Sequence, residues 1–353
     1  MRKQLPSVLK PALLFAGTML GAGFASGQEL LYFFIAYGSM GIYGLLVAGI
    51  FFSLFGYRLL ALSYQFQTTD YTLFIQKLCG KKLGTLINLC LGLFLFTILL
   101  LMLIGAGTIF RDHFQLPFSL GYLVLSLLLF FLALHGVQGI MKVNLFTMPF
   151  LMVIILTVCF YSLHYHHFSF SLLATAIQSS TQPAPHWLLS CLLYASYNLA
   201  LSFALLVPLG TTIKRASFRL FTSTLGSFLL MGLAFCISIT ILIHCPNIMN
   251  TQIPMLNISC SQNALHSFLY LTSFLIAIFT TSLSCLYGCA SQLQKHTNLP
   301  YSVCLLCLLG LSIFFINIEF SQIIQSIFPL FGYLTLFLMV KLLMAKDESG
   351  GIK

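Results

Sequence analysis

Between Gly17 and Glu29 the chain reads GTMLGAGFASGQE, which places four glycines, Gly17, Gly21, Gly23 and Gly27, and a carboxylate inside its first long apolar segment. A glycine weakens a helix by about 1 kcal/mol relative to alanine, and a charge at the centre of a bilayer costs roughly 3 kcal/mol or more. Peptide groups exposed at membrane depth survive only beside protein or a water-filled cavity. The stretch therefore predicts an unwound segment that binds something. Unwinding at Gly21 to Gly23 would leave the N–H groups of Ala22 and Gly23 at the start of a half-helix, where the dipole favours an anion such as a carboxylate. Phe24 would cover an apolar side chain. Ser26 would join the substrate-binding residues, and Gln28 and Glu29, the coupling candidates, would form a polar shoulder one to two turns further out.

A second constellation lies in WLLSCLLYASYNLALSFALLVPLG, where Ser196, Tyr197 and Asn198 fall near mid-membrane. Asn and Ser compete for backbone hydrogen bonds and favour local unwinding, so this segment is expected to break as the first one does. Tyr197 and Asn198 can then hydrogen-bond a solute, whose amine would meet the freed carbonyls. Packing is as good a reading of Tyr197; Asn198 at membrane depth needs partners. For Glu29 three roles stand open: a proton site, a counter-charge for a substrate amine, or a cap on a polar network with Ser26.

The elements that must position these residues follow from composition. Of 353 residues 59% are hydrophobic and 6% charged, with a mean hydropathy of +1.01. Such a chain is solvated by lipid. The formal charge of +10 is scattered in short runs and forms no nucleic-acid patch. Spans of about 20 apolar residues are found at 11–36, 40–60, 83–110, 118–135, 144–163, 187–208, 218–243, 264–290, 300–317 and 321–345. With both termini in the cytoplasm, only Arg111 of the 16 basic residues lies outside. The expectation is an all-α integral membrane protein of about ten transmembrane helices in the cell inner membrane, one transmembrane domain over 1–353. Its halves, 11–163 and 187–345, hold five spans each, and that odd number makes them inverted repeats. The loop QIPMLNISCSQNALH looks set to dip back toward the protein.

GAGFASGQE followed by Phe33 and Phe34, with YASYNLA and VPLG in the sixth span, IPML in the loop before the eighth and AIFTTSLS within it, resembles the YkvI-like group of bacterial membrane transporters. The similarity runs along essentially the whole chain, and GAGFASGQE is its most specific part. More distantly the chain is similar to the LeuT-fold amino acid and cation symporters. That likeness implies a 5+5 inverted repeat with helices 1 and 6 broken. It also implies a sodium ion held by the carbonyls of Gly17 and Leu20 with Ala277, Thr280 and Thr281. Sodium prefers several hard oxygens, and two adjacent hydroxyls with three freed carbonyls would supply five. Positions 277, 280 and 281 share a helical face; threonines in membrane helices also bond back to their own carbonyls, which is the bland reading of this pair. Sodium-independent relatives carry a lysine in mid-span five, whereas Lys142 stands at its inner start. Phe24 replaces the asparagine of a second sodium site, which points to one coupling ion.

The function these features imply is secondary active transport by alternating access: sodium-coupled symport of an amino acid or similar small zwitterion, with a proton-coupled carrier using Glu29 as the alternative. No organic cofactor is implied. An enzyme would need converging His, Asp, Glu or Cys groups, yet none of the six acidic residues pairs with a histidine at motif spacing. A channel would show a polar lining repeated along one helix. Most of the eleven cysteines lie in apolar segments; only Cys245 and Cys260 share a polar loop, where a disulfide or two thiols are both open readings. His164, His166 and His167 read as an interfacial loop rather than a metal site.

Overall fold

The computed structural model describes residues 5–165, 182–245, 248, 251, 253–315 and 320–345. His166 and His167 lie outside the described residues. Every regular element among those described is helical.

The first segment is three pieces: α1 (Leu5–Met19), α2 (Ala22–Ser26) and α3 (Gln28–Phe33). At the first junction Leu20 N–H still donates to Ala16 O at 2.9 Å, but Gly21 N–H turns to Met19 O at 3.0 Å, not to the Gly17 carbonyl a continuing α-helix would use. Gly21 itself is extended (φ −91°, ψ 177°). The second junction is Gly27, whose φ of 79° is a left-handed conformation open to glycine at no steric cost. Ser26 fixes this turn by donating to Gly23 O at 2.7 Å and accepting from Gln28 N–H at 3.1 Å.

Then follow α4 (Ser39–Phe66), the short α5 (Tyr71–Cys79), α6 (Lys81–His113), α7 (Phe118–Ala133) and α8 (Gly136–Tyr165). The second half holds α9 (Trp187–Thr212), α10 (Ala216–Ile243), α11 (Pro254–Gln262), α12 (Ala264–Thr297), α13 (Tyr301–Ser312) and α14 (Phe320–Met344). Among the described residues seven helices, namely α4, α6, α8, α9, α10, α12 and α14, are long and apolar enough to cross a membrane, while α7 and α13 are shorter apolar helices. Lipid-type residues such as Phe146, Phe228 and Phe314 stand more than 70% exposed on the outer faces, as expected where the solvent is hydrocarbon rather than water.

One expectation is corrected here. The sixth span is not broken: α9 runs as one helix through Ser196, Tyr197 and Asn198. Its polar side chains bond back to carbonyls one turn earlier, Ser196 Oγ to Leu193 O, Asn198 Nδ2 to Tyr194 O and Ser202 Oγ to Leu199 O. They satisfy themselves on the helix without opening it. The loop before the eighth span does turn back onto the protein: its centre is α11, with Pro254 at the helix start and Met255 packed beside the Cα of Gly27. Cys260 keeps a free thiol, beside Ser267 Oγ at 3.2 Å.

Candidate functional site

The break between α1 and α2 opens onto a small cavity walled by α6, α9, α12 and α14. Its lining includes Thr18, Gly21, Ala22, Gly23, Glu29, Asn198, Thr281, Ser284, Cys285 and Phe328. Its volume is about 30 Å³, room for about two water molecules, whereas pockets for drug-sized ligands run to about 300 Å³ or more. A solute of any size therefore enters only when the surrounding helices separate.

Glu29 dominates the chemistry. The left-handed turn at Gly27 swings α3 so that its carboxylate folds back over α2 and into the cavity. Tyr197 Oη donates to Glu29 Oε2 at 2.8 Å, and Asn198 lines the same cavity, its Nδ2 donating to Tyr194 O at 3.1 Å. Oε1 lies against Gly23, where any β-carbon would collide with it. Glu29 is 5% exposed, and among the described residues no basic group pairs with it. The space beside Gly23, where an anion was expected, is thus taken by the chain's own carboxylate. A carboxylate without a cation in such surroundings creates a field that favours a proton, a metal cation or an ammonium.

The predicted residues divide accordingly. Gly21, Ala22, Gly23, Glu29, Asn198 and Thr281 line the cavity, and Tyr197 reaches it through Glu29. Phe24 is fully buried in the core and Ser26 is taken up by the Gly27 turn; neither reaches the cavity. Gln28 is buried too, with its Oε1 unpartnered, outside the cavity lining. Of the residues associated with sodium, Thr281 Oγ1 faces the break: a β-carbon on Gly21 would stand 3.2 Å from it. Thr280 Oγ1 and Thr281 Oγ1 both donate to Ala277 O, at 3.2 and 2.8 Å, which leaves their oxygen lone pairs open to a cation. The Gly17 carbonyl has lost its helical N–H partner at Gly21, while the Cα face of Gly17 packs on Met148 of α8. Leu20 is buried beside the break.

Sequence reasoning missed Ser284 and Cys285, which continue the Thr281 face of α12 at three and four residues, a spacing that could have flagged them. It also missed Phe328, which packs on Tyr197 with ring centroids 5.0 Å apart, and Phe94, stacked on Phe331 at 4.1 Å. Phe328 lines the cavity, and Phe94 packs behind it with ring centroids 6.1 Å apart.

Polar networks tie the helices together at two places outside the cavity. On the α5 side Lys295 pairs with Asp70 and donates to Thr72 Oγ1 at 2.8 Å. Tyr71 Oη donates to Gly288 O at 2.8 Å, Gln292 Nε2 to Asn88 O at 2.6 Å, and Asn88 Nδ2 to Thr72 O at 3.0 Å. On α12 these groups follow Cys285 in successive turns away from the cavity. At the second place Tyr37 Oη donates to Ala184 O at 2.5 Å, Gln182 Nε2 to Ala36 O at 3.0 Å and Ser190 Oγ to Phe33 O at 2.6 Å, tying the end of the broken segment to the entry of α9.

The fold has known counterparts. No family model matches the chain. The sequence is 29% identical over 346 residues, 98% of either chain, to the membrane protein YkvI of Bacillus subtilis (strain 168). It is 27% identical over 339 residues to YyaD of the same organism, covering 95% of this chain and 96% of that one. YkvI and YyaD are homologues of this chain. Among solved structures, the Eremococcus coleocola manganese transporter bound to an aromatic bis-isothiourea compound superposes with a TM-score of 0.67 at 16% identity, over 98% of this chain and 80% of that one. A Na+-coupled sialic acid symporter in a substrate-bound outward-open state gives 0.64 at 13% identity, over 96% and 78%. Inward-facing Mhp1 gives 0.62 at 11% identity, over 94% and 75%. These neighbours are LeuT-fold transporters, and at such identities the likeness establishes the fold alone.

Proposed function

We propose that this chain is a secondary active transporter that carries a small amine-bearing solute, an amino acid or a similar zwitterion, by alternating access around the α1–α2 break. The observation that carries this reading is the placement of Glu29: a buried carboxylate without a basic partner, inside a cavity at the break, with polar networks tying the helices outside it. A solute's ammonium supplies the missing counter-charge. Its orientation is then the reverse of the one the glycines alone suggest, since Glu29 repels a second carboxylate from Ala22 and Gly23. A transition-metal cargo fits poorly. Among the described residues no three His, Cys, Asp or Glu side chains converge, so the cavity offers such an ion one carboxylate among neutral neighbours.

Sodium is the proposed coupling ion, with Thr281 its nearest hydroxyl to the break and Thr280, Ala277, Gly17 and Leu20 around it. A second reading, proton coupling through Glu29, is favoured by that residue's isolation from any base. Ten spans in two inverted halves, 11–163 and 187–345, with both termini in the cytoplasm, complete the proposal: the first helix is interrupted, and the α5 network is the inner gate.

Uptake into proteoliposomes tests it. A panel of amino acids is offered with an imposed sodium gradient and then with a proton gradient alone. Sodium-driven accumulation supports the first reading, proton-driven accumulation lost in Glu29→Gln supports the second, and no gradient-driven uptake of any amine contradicts both.

A further inference from the structure

Away from the central cavity, a second pocket of about 360 Å³ opens between the start of α1, the α9–α10 junction and the first two turns of α10. It is lined by Pro11, Thr212, Lys214, Arg215, Phe218 and Thr222, together with Ile213. Two of these side chains are basic and none is acidic. The α10 helix of 28 residues begins at its edge with Arg215 as N-cap and no side-chain cap, so its first N–H groups lack a partner from that source. Arg219 shapes the junction from beneath, donating through Nη1 to Ile213 O and Lys214 O at 2.9 Å each and lying over the Tyr64 ring at 4.7 Å. An independent sign of a ligand is Thr222. It is fully buried, it lines the pocket, and its Oγ1 has no hydrogen-bond partner, although back-bonding to its own helix is the ordinary course for a threonine.

We propose that this pocket binds a phosphate-type anion, presented as the headgroup of an anionic phospholipid or as a free phosphate. Helix N-termini, an ammonium and a guanidinium are the donors that such an anion recruits, and basic pockets between membrane helices take up phospholipid headgroups. Bound there, the anion would lie between Pro11 at the start of the broken segment and the first turns of α10. The site is separate from the central cavity and stands whether or not the transport reading does.

The test uses the full-length protein in nanodiscs. Native mass spectrometry compares retained lipid from discs of phosphatidylcholine with and without phosphatidylglycerol, and a parallel arm adds inorganic phosphate to phosphatidylcholine discs and reads the thermal unfolding midpoint. Wild type should retain phosphatidylglycerol at least about tenfold over phosphatidylcholine, or gain midpoint with phosphate. The first result assigns a lipid headgroup, the second a free anion. Lys214→Gln with Arg215→Gln should abolish the effect, while Lys81→Gln with Lys82→Gln, exposed bases elsewhere, should preserve it. If the double variant does not fold, the near-isosteric Thr222→Val decides: weakened binding supports the site and wild-type binding overturns it. Equal loss in the Lys81/Lys82 control, or no preference in either arm, also overturns it.

Discussion

The carboxylate of Glu29 occupies the space that a side chain at position 23 would need, so Gly23 and Glu29 form one functional unit across the Gly27 turn. A side chain at Gly23 would collide with that carboxylate, and both residues line the cavity at the break.

Replacing Gly23 with alanine should evict that carboxylate. The atom it meets is the far end of a flexible side chain, so the protein gives way by moving Glu29 and not its backbone. Stability should fall by less than the about 1–3 kcal/mol of a forced core insertion. Uptake of the transported amine should fall at least about tenfold, a loss of ~1.4 kcal/mol or more. Thermal unfolding and proteoliposome uptake of the same preparation check the pair.

Tyr197→Phe removes the donor to Glu29 Oε2 and leaves the ring packing on Phe33 and Phe328 intact. A hydrogen bond to a charged group contributes about 1.5–3 kcal/mol. The expected outcome is an apparent substrate affinity about 10- to 100-fold weaker with the unfolding midpoint little changed, measured by concentration-dependent uptake.

The two threonines of α12 should behave differently. Thr281 faces Gly21 and lines the cavity, while Thr280 is buried off it. Thr281→Ala should therefore raise the sodium concentration for half-maximal uptake further than Thr280→Ala does. Equal responses would detach the ion from the break.

The interruption at Gly21 and the membrane-spanning helices were legible from the sequence, because glycine clustering and hydropathy act locally. Asn198 was legible as a cavity residue because an amide at membrane depth needs a partner, whereas Thr281 came only through the resemblance to LeuT-fold symporters. The inward reach of Glu29 was not, since it depends on the left-handed turn at Gly27 between α2 and α3. The sixth span misled in the opposite sense. Ser196 and Asn198 look like helix breakers, but each finds a carbonyl on its own helix, and local composition does not say which of the two outcomes wins.

Lys295→Gln should loosen the α5 network, because Lys295 contacts both Asp70 and Thr72. Cys285 reports the result: it lines the cavity and is 3% exposed. In a variant whose other cysteines are replaced, alkylation of Cys285 by a membrane-impermeant maleimide from the α5 side should speed up several-fold. An unchanged rate would show that this network does not close the path.

Glu29 as the partner of a solute's ammonium is the centre of the proposed transport mechanism. The direct measurement is uptake of an amino acid, its decarboxylated amine and its N-acetylated form by wild type and by Glu29→Gln under the same gradients. Wild type should carry or bind the two amines and reject the N-acetylated compound, and Glu29→Gln should lose the amines. Uptake of the N-acetylated form equal to that of the amines, or full amine uptake by Glu29→Gln, would contradict it.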